Sequence, residues 1–118
     1  MPLVIMSRNP KVINDELAHE IAQQLPAIIA NALDISEHDK DGTLTANDIE
    51  VYVRDSNKLD VNTKPLEITI WAGYYPARQE NLDQRRAKIV EAVRAIKPSE
   101  AKGFVWVLLQ PWSSFGEF

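Results

Sequence analysis

The chain has 118 residues, 45% hydrophobic and 25% charged, with a net charge of −4. This is the balance of an ordinary globular chain of one domain, residues 1–118, able to bury roughly two-thirds of its unfolded surface. Interspersed acids and bases exclude a nucleic-acid stripe or a polybasic membrane patch, and the absence of cysteine excludes disulfides, thiolate metal sites and cysteine nucleophiles.

Residues 2–7 read as a short apolar strand. Asn14 or Asp15 can cap the helix that follows, with Glu16 in its first turn. Leu17, Ile21, Leu25, Ile28, Ile29, Ala32 and Leu33 recur at helical spacing and mark its buried face. Pro26 falls inside that pattern and predicts a kink or break near Leu25. Residues 34–47 are polar and turn-rich. Ile49 to Arg54 form a second strand, ended by Asp55, Ser56 and Asn57.

The second half repeats this order. Pro65 leads into a strand from Leu66 to Ala72, and residues 73–76 connect it to a helix marked by Leu82, Ile89, Ala92, Val93 and Ile96. Lys97, Pro98 and Ser99 stop that helix, and Phe104 to Leu109 form the last strand. The pseudo-repeats span about residues 2–57 and 64–111. Helix-to-strand spacing is ten residues longer in the first half, the excess lying near residues 37–47.

The pattern predicts an α/β (α+β) fold: a duplicated β-α-β unit giving a four-stranded mixed sheet with two helices on one face. Yet the first and last strands are apolar on both sides, as in Phe104, Trp106 and Leu108 against Val105, Val107 and Leu109. A second subunit is the simplest cover for the other face, so a homo-oligomer is expected.

Pro2 directly follows Met1, and methionine aminopeptidase trims Met before a small second residue. The mature chain would then begin with a secondary amine. A free α-amino group has an unperturbed pKa of roughly 7.7–8.0, which burial near cations lowers toward a neutral base. The start lacks a charged and apolar leader pattern, and no apolar run is long enough to span a bilayer, so a cytoplasmic location without membrane contact is expected.

Pro2 at the head of a strand, the doubled β-α-β unit and the doubly apolar sheet together resemble the tautomerase superfamily. Ala46-Asn47-Asp48, Arg78-Gln79-Glu80 and Trp112-Ser113-Ser114-Phe115-Gly116 are similar to strings of its malonate semialdehyde decarboxylase branch. The match departs at Pro76, where that branch has a second arginine, and at Glu50, where 4-oxalocrotonate tautomerase carries an arginine. The resemblance implies a trimer and a cofactor-free enzyme acting on a small carbonyl acid through the Pro2 amine.

On that reading Pro2 is the acid/base, and Asp48 orients water or a substrate hydroxyl. Arg78 holds a substrate carboxylate, with Arg54 a second candidate. Tyr75, or its neighbour Tyr74, can donate to an oxyanion, and Trp112 and Phe115 supply an apolar wall. Arg8 and Lys11 add positive potential after the first strand. Keto–enol tautomerisation of a 2-oxo acid is the leading expectation. Decarboxylation or hydration of a 3-oxo acid, and a non-catalytic trimeric interaction module, are the alternatives. Residues 37–48 imitate a calcium-binding EF-hand loop, but Glu37 and Asp48 stand where the motif has Asp and Glu, and a strand follows. His19 and His38 lack partners at metal spacing, so no metal is expected.

Overall fold

The computed structural model describes residues 2–112, 114 and 116–118. Its strands are β1 (Leu3–Arg8), β2 (Glu50–Asp55), β3 (Leu66–Gly73) and β4 (Gly103–Gln110), in the sheet order β2-β1-β3-β4. β1 runs parallel to β2 and β3 to β4, and the central β1–β3 pair is antiparallel. Helix α1 (Asp15–Leu33) connects the first parallel pair. The short α2 (Pro76–Gln79) and the longer α3 (Leu82–Ile96) connect the second. The mixed α+β sheet of two β-α-β units is the one expected, and each strand lies within a residue of its predicted bounds.

Helix α1 starts where the sequence says it should. The Asn14 side chain accepts the Leu17 N–H at 2.9 Å, and Asp15 and Glu16 occupy the first turn, beside the positive end of the helix dipole. The predicted break at Pro26 does not occur. Proline forfeits the bond to the carbonyl four residues back, a loss of about 3 kcal/mol in a helix interior. However, Ile21 and Leu25 before it and Ile29 and Leu33 after it are all fully buried. Continuous packing on both sides of Pro26 outweighs one lost hydrogen bond.

The helices lie on one face of the sheet, α1 against β2 and α3 against β4. Alternation along the strands sends Val4 and Met6 of β1, and Leu66, Ile68, Ile70 and Ala72 of β3, into that layer. The register sends Ile5, Tyr52, Thr69 and Trp106 to the opposite face in one row. Trp106 is 56% exposed there and meets Phe104 edge-on, with ring centroids 6.1 Å apart. Among the described residues no helix is long and apolar enough to cross a membrane.

At the start of the β3–β4 pair, a Cβ on Gly103 would sit 1.5 Å from the Leu66 carbonyl oxygen. Only glycine permits that approach. Gly103→Ala is expected to lower stability by roughly 1–3 kcal/mol, as overpacking does, seen as a lower urea midpoint. Gly116→Ala, with nothing within 4 Å of the added methyl, serves as the unchanged control.

Candidate active site at the Pro2 end of the sheet

Pro2 is buried, and its carbonyl accepts the Glu50 N–H at 3.3 Å. Pairing then places Leu3 between Glu50 and Trp71. At this end of the sheet β1 and β2 begin while β3 and β4 finish. A pocket of about 420 Å³ opens there, walled by Pro2, Leu44, Trp71, Tyr75, Arg78 and Gln110 among others. That volume suits a small organic molecule.

Arg78 is 2% exposed. Pro76 fixes the first position of α2, which brings Arg78 round beneath the end of β3. Its Nε donates to the Leu33 carbonyl at 3.0 Å, Nη1 to Gly73 at 2.8 Å and Nη2 to Gly42 at 3.2 Å. The guanidinium also lies over the Tyr75 ring, 5.1 Å from its centroid. Burial is the main cause that pushes the Arg78 pKa below its ordinary value, with nearby Arg85 adding to it. The group remains cationic at neutral pH. Among the described residues no carboxylate comes within salt-bridge distance of it. Three of its N–H groups therefore go to neutral carbonyls, and the Asp34 carboxylate acts on its charge without a direct ion pair.

The long connection between α1 and β2 supplies the wall facing Arg78. Tyr75 donates its hydroxyl to the Asp41 carbonyl at 3.0 Å, tying the connection to the end of β3. Asp34 gathers the other side, accepting from Ser36 Oγ at 2.8 Å and from the Leu44 N–H at 3.0 Å. The Leu44 bond is the chief reason its carboxyl is held below the usual carboxylate range. Gly42 packs so closely on Ile35 that a Cβ would lie 2.3 Å from Ile35 Cγ1. In the calcium-like string, then, glycine serves packing, and Asp39 turns onto the Asp41 N–H at 2.9 Å. Among the described residues no three His, Asp or Glu side chains converge as metal ligands.

The structure brings together Pro2, Tyr75 and Arg78. Asp48 stands at the same end of the sheet, in the helical turn Ala46–Asp48. Its carboxylate accepts the Thr45 N–H at 2.8 Å and the Thr45 hydroxyl at 3.1 Å, and it is not among the described residues that wall the pocket. Arg54 pairs with Ser7, four residues along β1 from Leu3 and so about 13 Å from the pocket end, given a strand rise of about 3.3 Å per residue. Its guanidinium covers Tyr52 at 5.1 Å. Trp112 is 89% exposed past the end of β4, and Phe115, like Met1 and Ser113, lies outside the described residues. The Tyr74 hydroxyl donates to Gln79 at 2.7 Å. Arg8 sits at the far end of β1, bound to Asp55 at 2.8 Å and also to Asp15. Sequence reasoning missed Trp71, which the antiparallel register lays beside the start of β1, Gln110, which pairs with the end of β3, and Leu44 of the α1–β2 connection.

Replacing Arg78 by Leu would strip three carbonyls of their donor at once. The expected cost is roughly 3 kcal/mol or more, since each buried unpaired polar group costs about 1–3 kcal/mol. Lysine cannot span three acceptors from one nitrogen, so Arg78→Lys is expected to recover only part of the loss in a denaturation series.

No protein-family model matches the chain, and no curated protein matches it in sequence. Its fold does match solved structures. The macrophage migration inhibitory factor-like protein of Entamoeba histolytica superposes with a TM-score of 0.61 at 11% identity, covering 97% of this chain and 95% of that one. A malonate semialdehyde decarboxylase, inhibited by 3-bromopropiolate, gives 0.64 at 16%, covering 98% and 91%. N1, a member of the cis-3-chloroacrylic acid dehalogenase family, gives 0.50 at 18%, covering 98% and 81%. The likeness is one of fold, and that fold is the one the tautomerase superfamily shares.

Proposed function

We propose that this protein is a cofactor-free enzyme in which the Pro2 amine, freed by removal of Met1, moves a proton on a small 2-oxo acid. The observation that carries this reading is the pocket itself, which joins Pro2 to a buried arginine bonded to carbonyls and not to a carboxylate, with Asp41 also in the wall. A neighbouring positive charge disfavours the protonated amine and so lowers its pKa, leaving a base at neutral pH. The amine takes a proton from the carbon beside the ketone, and the electrons move to the carbonyl oxygen as an enolate. Returning the proton to that oxygen gives the enol, and the reverse path delivers it to carbon. The Arg78 charge attracts the substrate carboxylate and steadies the enolate. Decarboxylation of a 3-oxo acid is the second reading, favoured by the likeness to malonate semialdehyde decarboxylase. It would leave the proton donor to Pro2, because Asp48 is spent on Thr45.

Intact-mass measurement should show a chain that starts at Pro2, and the protein should ketonise the enol of phenylpyruvate. Pro2→Ala is expected to lose about 10²–10⁴-fold in kcat/KM, the usual contribution of a positioned acid/base. Equal rates for the two proteins would discard the proline mechanism, and carbon dioxide release from malonate semialdehyde would move the assignment to the second reading.

The same proposal includes a trimer built on the open face of the sheet. Leu3, Tyr52, Phe104 and Trp106 stand there between 36% and 56% exposed, the kind of apolar side chains that subunit contacts cover. Sedimentation at micromolar concentration should give three copies, and Trp106→Asp should release monomers. A wild-type monomer would overturn this part.

A further inference from the structure

A second pocket lies at the opposite end of β3 from Pro2, on the helix side of the sheet. Its volume is about 300 Å³, and Ile68, Val90, Val93 and Val105 form its floor. It opens where α3 packs on the edge strand β4. Val105, Val107 and Leu109 point toward the helix layer yet remain only partly buried. The lining also includes Arg86, Arg94 and Lys97, and no acidic side chain among the described residues. Such a cluster is unexpected in a chain of net charge −4. Positions 86, 90, 93 or 94, and 97 recur at helical spacing, so one stripe of α3 carries valines between flanking cations.

These cations are available to a ligand. Arg94 bonds Glu91 at 2.6 Å and Arg86 bonds Asp83 at 3.5 Å, both as exposed pairs within one helix, which contribute little and exchange readily. Lys97 is half-buried, has no carboxylate partner among the described residues, and donates only to the Pro98 carbonyl at 3.3 Å. Uncharged apolar molecules would leave Lys97 unchanged, and a cationic ligand would be repelled. An anion with no apolar part would leave the valine floor in contact with water.

We propose that this pocket binds a small amphipathic carboxylate, with its acyl chain on the valine floor and its carboxylate between Arg94 and Lys97. The site is separate from the Pro2 pocket and does not depend on the catalytic reading. Phe104, one of the residues of the proposed subunit contact, stands at its edge.

The probe is decanoate below its micellar concentration, titrated into the full chain and followed by methyl NMR. Saturable shifts are expected at the Val90, Val93 and Val105 methyls and not at Leu44 in the other pocket. Affinity should rise roughly fourfold per added methylene from hexanoate to decanoate until the floor is filled. Arg94→Gln with Lys97→Gln should weaken binding at least about tenfold, as loss of charge-assisted hydrogen bonds does. Val90→Trp, which fills the pocket while keeping all three cations in the chain, should abolish it, and Pro2→Ala should leave it intact. The absence of saturable shifts at these three valines would overturn the proposal. So would equal binding of decylammonium, or unchanged affinity in the doubly substituted protein with native circular dichroism.

Discussion

The buried guanidinium of Arg78 is the contact on which the molecule's architecture depends. It reaches the last residue of α1, the connection after it and the last residue of β3 through single hydrogen bonds to Leu33, Gly42 and Gly73. A helix leaves its final carbonyls without partners, and cations are favoured at that negative end. Helix α1 has no basic residue in its own last turn. The second half of the chain supplies them instead. Arg78 takes the Leu33 carbonyl, while Arg85 donates to Ala32 at 2.9 Å and to Asp34 at 3.1 Å. Two arginines from one repeat thus finish the helix of the other, which docks the halves in one arrangement.

The same contact decides where charge lies. Two arginines are buried, Arg8 and Arg78, near opposite ends of the sheet. Arg8 is neutralised by Asp55 and Asp15, and those bonds raise its pKa, that to Asp55 most. Arg78 donates only to carbonyls and stacks on Tyr75, and its pKa is lowered chiefly by burial. A cation held by dipoles keeps its field, whereas one held by carboxylates loses it. Of the two buried arginines, the one beside Pro2 is therefore the less neutralised, in a chain that is acidic as a whole. A structural element of the fold and the electrostatics of the pocket turn out to be one residue.

Much of this was legible in the sequence, and the failures share a cause. The four strands, the Asn14 cap and both long helices follow from local periodicity and turn chemistry, which need only neighbours. Pro26 misled because the opposing force, burial of Ile21, Leu25, Ile29 and Leu33, acts through the sheet. Arg78 was singled out as a residue, but its three acceptors lie up to 45 positions away, so its bonding was out of reach. Asp48 was read as orienting water or a substrate hydroxyl, and its carboxylate accepts the Thr45 N–H and hydroxyl, which spacing did not reveal. Gly42 fitted a calcium loop by spacing and is required by the side chain of Ile35. In each case the deciding partner is a contact that periodicity and spacing do not report, tertiary for Pro26 and Arg78 and within one connection for Asp48 and Gly42.

The unequal halves explain why one end of each repeat looks so different. Pro2 precedes β1 as Pro65 precedes β3, and each repeat begins its two parallel strands side by side. In the first repeat the connection from helix to strand is about ten residues longer. It brings Leu44, Asp41 and Gly42 over the start of β1, latched there by Tyr75 and Arg78. In the second repeat the connection from Lys97 to Gly103 is short, and nothing comparable covers the start of β3. What remains there is the valine floor with its rim of cations. Pro65 itself is an amide within the chain, with no basic nitrogen to offer. Duplicated geometry thus yields a pocket at each end of β3, and of these two the one at Pro2 holds a fully buried cation.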